Sequence, residues 1–93
     1  MSPFDTHPAF RSDRPRSLQC DDLNAIRAVC PLEASQACAA VYLAWCDEAA
    51  VPAALAALQT LPLATQSQIA TDSIAFLAAA DRPTPTQARR RAA

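Results

Sequence analysis

The sequence predicts an all-α fold, a small bundle of three to four helices with disordered N- and C-terminal tails. Apolar residues recur at helical spacing, and strict alternation appears nowhere. The β-branched and aromatic residues that favour strands are sparse, and a chain of 93 residues without glycine lacks the preferred residue of tight hairpin turns. We therefore expect a helical domain over residues 17–80, a disordered arm over residues 1–16 and a disordered basic tail over residues 81–93.

The two end segments have no hydrophobic period. Residues 1–16 contain three Pro, three Arg, two Asp and two Ser, a composition typical of disorder. The last twelve residues combine Pro, Thr and Gln with the run Arg89–Arg91, which we interpret as a solvated tail.

The first helix is predicted from Leu18 or Asp22 to Val29, because apolar residues at helical spacing follow a plausible N-cap at Ser17 or Asp21. Acidic residues in or beside the first turn are favoured by the helix dipole.

The second helix is predicted over about residues 31–49. Pro31 suits a first helical position, and Glu33 is placed to bond back to the cap. Most of its circumference is an apolar arc, which predicts the most buried helix of the bundle. The arc contains Leu32, Cys38, Ala39, Val41, Tyr42, Leu43, Trp45 and Cys46.

Prolines also delimit the last two helices. The third is predicted over about residues 52–59, opened by Pro52, with Leu55 and Leu58 on its apolar stripe. The fourth is predicted over about residues 62–80, with one broad apolar side and an end imposed by Pro83.

The composition argues against an enzyme. Without glycine the chain lacks a Walker-type phosphate loop, a dinucleotide-binding turn and a nucleophile elbow. The only histidine, His7, lies in the presumed arm, so a Ser or Cys nucleophile has no imidazole base in the helical domain. The acid pairs Asp21–Asp22 and Asp47–Glu48 are adjacent on a helix and point about 100° apart. We therefore expect no catalytic residue and no cofactor.

The four cysteines follow the pattern Cys20-x9-Cys30-x7-Cys38-x7-Cys46. Structural zinc usually takes pairs two to four residues apart, so this spacing predicts no metal site. The pattern resembles the twin CX9C helical hairpins of the mitochondrial intermembrane space in its first half and departs from them in its second, over about residues 20–46. The resemblance implies two antiparallel helices stapled by an inner and an outer disulfide.

The start of the second helix decides between stapled and free thiols. If the helix begins at Pro31, Cys38 lies about 10 Å along it from Cys30, beyond the roughly 7 Å that a disulfide spans between Cα atoms. If Ser35 caps the helix instead, the inner pair meets, the outer pair comes close to register, and both disulfides become possible. Because Pro31 favours the first version, we interpret the cysteines as free thiols that serve as small core residues.

The thin core predicts a partner. Alanine supplies 23 of the 93 residues, and one small core seldom stabilises a domain of this size by more than a few kcal/mol. We therefore expect a protein–protein interaction module (an adaptor, inhibitor, accessory regulator or subunit) that docks helix to helix with a protein partner or with itself, as a heteromer or a dimer. The candidate partner-binding residues are Tyr42, Trp45, Leu55 and Leu58.

Two other functions remain open. One is a disulfide-stapled structural subunit, and the other is a nucleic-acid-associated regulator that uses the arginine-bearing tails. The second is disfavoured because residues 21–80 carry six acids against Arg27 alone. No small-molecule substrate is expected, and the absence of a secretory signal or a long apolar stretch predicts a cytoplasmic protein without membrane association.

Overall fold

The computed structural model describes residues 2–80, so the predictions for the tail at residues 81–93, including Arg89–Arg91, lie outside the described residues. Residues 2–80 contain helices and no strand, and the all-α prediction is confirmed. None of these helices is long and apolar enough to cross a membrane. The four α-helices are α1 (Arg16–Val29), α2 (Ser35–Cys46), α3 (Val51–Gln59) and α4 (Leu63–Ala80), and single 3-10 turns lie at Pro8–Phe10, Leu32–Ala34 and Glu48–Ala50.

The central helix of the bundle is α1, which packs against both α2 and α4, while α2 also packs against α3. This corrects the expectation that the second helix is the most buried. Only Ala37, Val41 and Ala44 of α2 are buried, against five residues of α1. A wide apolar arc therefore does not ensure burial on all sides, because the buried residues of α2 lie on one face, where the described parts of the bundle pack against it.

The second helix is also shorter than predicted. Pro31 adopts an extended conformation (φ −73°, ψ 165°) and precedes a 3-10 turn, so the α-helix begins at Ser35. At the other end Asp47 is extended (φ −144°, ψ 116°), and its carboxylate accepts a hydrogen bond of 3.0 Å from the Ala49 backbone N–H. Asp47 therefore ends α2 and caps the next turn, as short polar side chains do at helix starts.

The core has few large side chains and many alanines. Half of the twelve buried apolar residues in its cluster are Ala. The α-helices supply five larger ones, all at most 1% exposed, and the sixth comes from the N-terminal segment. The five are Leu23, Ile26, Val41, Leu58 and Ile69, and the sixth is Phe4.

The N-terminal segment packs into this core, which differs from the disordered arm expected over residues 1–16. Phe4 is completely buried, and its ring meets that of Phe10 edge to face, with centroids 6.0 Å apart. Ala9 is buried beside them. The physical reason is that the helices alone leave space beside α1 and α4, which aromatic rings fill at a large gain in buried apolar area.

Side-chain hydrogen bonds tie the same segment to the helices. The Ser2 hydroxyl donates to Gln66 of α4 (2.6 Å), and the Gln19 amide of α1 donates to the Ala9 carbonyl (2.8 Å). The Arg14 guanidinium donates twice to the fully buried carboxylate of Asp22, at 2.8 and 3.1 Å. Side-chain hydrogen bonds therefore hold the irregular N-terminal segment in place, although its sequence has no helical periodicity.

We expect Phe4→Ala to destabilise the fold by about 3–5 kcal/mol, because it removes the largest buried side chain and leaves a cavity. The matched control is Phe76→Ala on α4, whose side chain is 44% exposed. Phe76→Ala should lower the free energy of unfolding by less than about 1 kcal/mol. Urea unfolding of both variants tests this, and equal costs would mean that the N-terminal segment does not contribute to the core.

Candidate functional site

The outer side of α2 carries the most distinctive exposed surface among the described residues. Tyr42, Leu43 and Trp45 are 43%, 61% and 41% exposed. Tyr42 and Trp45 are three residues apart on α2, so their side chains lie on the same face. Their rings are stacked, with centroids 5.9 Å apart and an interplanar angle of 28°. Together with Arg27 of α1, these three residues form what we call the Arg27–aromatic face.

Arg27 lies across this pair of rings. Its Cζ atom is 4.7 Å from the Tyr42 ring centroid and 5.9 Å from that of Trp45, within the range of cation–π attraction. Its Nε atom is buried and has no hydrogen-bond partner among residues 2–80, where Arg27 also forms no ion pair. Buried polar groups are normally paired, so an unpaired Nε is unusual. The guanidinium therefore lies over the rings with a positive charge that no described acidic side chain neutralises.

A shallow groove of about 580 Å³ runs beside the rings. Its lining is mostly apolar in residue type, and Arg27 supplies the positive charge. The lining residues are Arg27, Ser35, Cys38, Ala39, Tyr42 and Leu43. A surface of this kind accommodates an apolar side chain together with an anionic group.

The α1–α2 hairpin positions this face. At one end the Arg16 guanidinium of α1 donates to the Ala44 carbonyl (2.8 Å) and the Trp45 carbonyl (3.1 Å) in the last turn of α2. A cation at a helix C-terminus satisfies free carbonyls and complements the helix dipole. At the other end the Cys38 thiol approaches the Arg27 carbonyl at 4.0 Å. The two helices are therefore antiparallel, and their register places Arg27 over the rings.

The predicted partner-binding residues separate into two groups. Tyr42 and Trp45 lie together and exposed, but Leu55 of α3 is half-buried against the core and Leu58 is completely buried. Leu58 is therefore a core residue, because the apolar stripe of α3 faces α2. Sequence reasoning missed Arg27, although its position as the only basic residue between residues 21 and 80 was a signal.

The four cysteines are free thiols; Cys46 is exposed, and the other three are partly buried. The helix start at Ser35 is the version in which the inner pair comes together. The structure places the Cys38 sulfur at the end of α1 that carries Cys30, 4.0 Å from the Arg27 carbonyl oxygen. Burial, together with the charge and side-chain hydrogen bond of Cys38, raises the pKa of the Cys30 thiol to about 12. Within residues 2–80, no three His, Cys, Asp or Glu side chains form a group able to hold a metal ion.

An unexpected Ser–His pair lies in the core. His7 Nε2 is 2.7 Å from the Ser73 hydroxyl oxygen. His7 Nδ1 accepts a hydrogen bond from the Ala9 N–H at 3.1 Å, so in the neutral ring Nε2 carries the proton and donates it to Ser73. Ser73 in turn donates to the Ala70 carbonyl. This polarity is opposite to that of a serine activated by an imidazole base, and both residues are buried, at 1% and 0% exposure.

Comparisons of the chain with protein-family models, with curated proteins and with solved structures found no match.

The buried His7 should make stability depend on pH. Burial lowers the pKa of His7 from 6.5 to about 4, against an opposing effect of the Asp22 charge. Between these two pH values the unfolded chain binds a proton that the folded chain does not, so stability falls as the pH falls through this window. We expect His7 to lower the free energy of unfolding by on the order of 3 kcal/mol between pH 7 and pH 4.

Urea unfolding of wild-type protein and of His7→Gln at several pH values measures this contribution. Glutamine keeps a donor for Ser73 but does not titrate, so its stability should fall less steeply over the same range. Parallel curves for the two proteins would assign the acid sensitivity to the carboxylates instead.

Proposed function

We propose that the protein is a small, non-enzymatic helical interaction module that acts in the cytoplasm and binds a protein partner on the Arg27–aromatic face. The observation that carries the proposal is the exposed Tyr42–Trp45 stack under the Arg27 guanidinium. Tyrosine, tryptophan and arginine are the residues most enriched at the energetic centres of protein interfaces.

The rigidity of the face supports this role. Tyr42 and Trp45 stack on each other, and Arg27 lies over the Tyr42 ring. Side chains already held in place lose less conformational entropy when a partner binds, which favours association. The hydrogen bonds from Arg16 to the end of α2 fix the helix itself. The same residues would therefore present the same shape to the partner before and after binding.

The chemistry of the face indicates the kind of partner. The rings and Leu43 are suited to apolar side chains of a partner. The Arg27 guanidinium forms no ion pair among residues 2–80, so its charge is suited to a carboxylate of the partner. An amphipathic helix that carries an acidic residue beside its apolar stripe offers both. The α2 helix has 12 residues and is about 18 Å long, enough to contact three turns of such a helix.

Small residues beside the rings favour a helical partner over a loop. Ala39 lies in the groove one turn before Leu43 and is exposed. Alanine at this position lets a second helix approach closely, because helix packing distance depends on side-chain size at the contact. Adaptor, inhibitor, regulator and subunit roles all use this mode of binding.

The proposal predicts that Tyr42→Ala together with Trp45→Ala weakens partner binding by on the order of 30-fold or more, since each ring is expected to act as an anchor. The measurement is quantitative recovery of binding proteins from native extract on immobilised wild type and variants. The matched control is Ile74→Ala on α4, where an exposed apolar side chain (49%) lies outside the face. It should leave recovery unchanged.

The variant Arg27→Met separates the contribution of the positive charge to binding from that of the apolar contacts. Methionine keeps an unbranched apolar side chain over the rings but removes the charge, so binding should weaken and lose most of its salt dependence.

Sedimentation of the purified protein decides whether the partner is a second copy or another chain. Self-association through this face would be lost in the double ring variant, which carries both Tyr42→Ala and Trp45→Ala. Equal recovery by wild type and the double ring variant would contradict the proposal.

A further inference from the structure

Two thiol pairs lie across the α1–α2 interface, one near each end. Cys30 directly follows the last residue of α1 and packs against the core, and Cys38 lies in the first turns of α2. The Cys38 sulfur is 4.0 Å from the carbonyl oxygen of Arg27, which belongs to the last turn of α1. The sulfur of Cys38 therefore lies at the end of α1 where Cys30 is attached.

The same register continues to the other end of the hairpin. The Cys20 sulfur of α1 is 4.0 Å from the carbonyl oxygen of Trp45, the residue before Cys46. Of the two pairs, Cys30 and Cys38 are the more buried, because Cys30 packs against the core and Cys46 of the other pair is exposed. Short connections and two packed helices hold both thiols in place.

We propose that Cys30 and Cys38 are a redox-active pair that forms a reversible intramolecular disulfide by exchange with a small disulfide such as oxidised glutathione. The bond would link the end of α1 to the start of α2. It needs no change of register, since the Cys38 sulfur already lies at the end of α1 that carries Cys30. The proposal concerns the chain alone and does not depend on the partner-binding function.

The exchange has two balanced steps. The Cys38 thiolate attacks one sulfur of the small disulfide, which gives a mixed disulfide at Cys38 and releases one small thiolate that takes up the proton lost by Cys38. Cys30 then loses its proton and attacks the Cys38 sulfur. The Cys30–Cys38 bond forms, and the second small thiol leaves with that proton. The two protein thiols are oxidised, and one small disulfide is reduced to two thiols.

The order of attack follows from the surroundings. Burial raises the pKa of the Cys30 thiol, and so do the charge and hydrogen bond of Cys38, which makes Cys30 the poorer first nucleophile. Cys38 lines the groove beside Arg27 and is accessible to a small disulfide from there. Once Cys38 is in a mixed disulfide it no longer bears a thiolate charge. That contribution to the raised pKa of Cys30 is then gone, and the second attack becomes easier.

Wild-type protein is equilibrated with glutathione buffers of increasing oxidised fraction. The samples are quenched with acid, the free thiols are alkylated, and the state of each cysteine is determined by mass spectrometry. Cleavage after Arg and Glu separates the pair, because Glu33 lies between Cys30 and Cys38 and Arg27 precedes both. We expect a linked pair of peptides, residues 28–33 with residues 34–48, whose mass is two hydrogen atoms below the sum of the reduced peptides.

Two variants assign the bond. Cys20→Ser with Cys46→Ser leaves only the proposed pair and should give the same linked peptides, with the intact protein still monomeric on a non-reducing gel. Cys30→Ser removes the second nucleophile, so Cys38 should retain glutathione as a mixed disulfide. Circular dichroism of the untreated proteins checks that the helices are retained in each variant.

Other outcomes would overturn the proposal. Four alkylated cysteines in wild type at every oxidised fraction would show that the pair does not exchange. Mixed disulfides that persist on both Cys30 and Cys38 would show that the two sulfurs do not reach each other. Linkage only between different molecules, or only of Cys20 to Cys46, would assign the redox chemistry elsewhere in the chain.

Discussion

The burial of Phe4 among alanine-lined helices is the contact on which the rest of the structure depends. The helices contribute only five larger side chains to the core cluster, and alanine makes up half of that cluster. Alanine permits close helix packing but buries little apolar area per residue, so the four helices alone enclose too little of it. An aromatic ring from outside the helices supplies what is missing. The N-terminal segment is therefore structural, and its polar groups must find partners inside the protein.

Five polar or charged residues are buried within the described part of the chain, namely His7, Gln19, Asp22, Gln66 and Ser73. Buried polar groups are costly unless hydrogen-bonded, and those around the N-terminal segment are paired: His7 with Ser73, Gln19 with the Ala9 carbonyl, and Asp22 with Arg14. The Asp22 carboxylate has no exposure, whereas the Arg14 side chain keeps a third of its own. A buried charge with a half-buried partner contributes little net stability but strongly disfavours any arrangement that separates the two. The segment is thus fixed in one position on α1, which in turn occupies the centre of the bundle.

Sequence reasoning recovered the regular parts of this fold and missed the irregular ones. Helices α3 and α4 begin within a residue of the predicted positions, because Pro52 and Pro62 mark their first turns. The N-terminal segment was not predicted, since a segment held by Phe4 and His7 has no repeating pattern for a periodicity argument to detect. The candidate site was predicted in part. The spacing of Tyr42 and Trp45 placed both rings on one face, but whether that face points inward depends on which helices lie beside it, and that is a property of the whole bundle.

The register of the α1–α2 hairpin decides the rest of the site, and the few residues between the helices decide the register. A helix that began at Pro31 instead of Ser35 would gain about 6 Å of length and one turn at its start. The faces of α2 would keep nearly the same directions, because four residues complete slightly more than one turn. Its residues would nevertheless meet α1 about one turn away from their present positions. Arg27 would then not lie over the two rings, and Cys38 would not lie near Cys30. The extended conformation of Pro31 and the 3-10 turn after it therefore set both the aromatic face and the thiol pair.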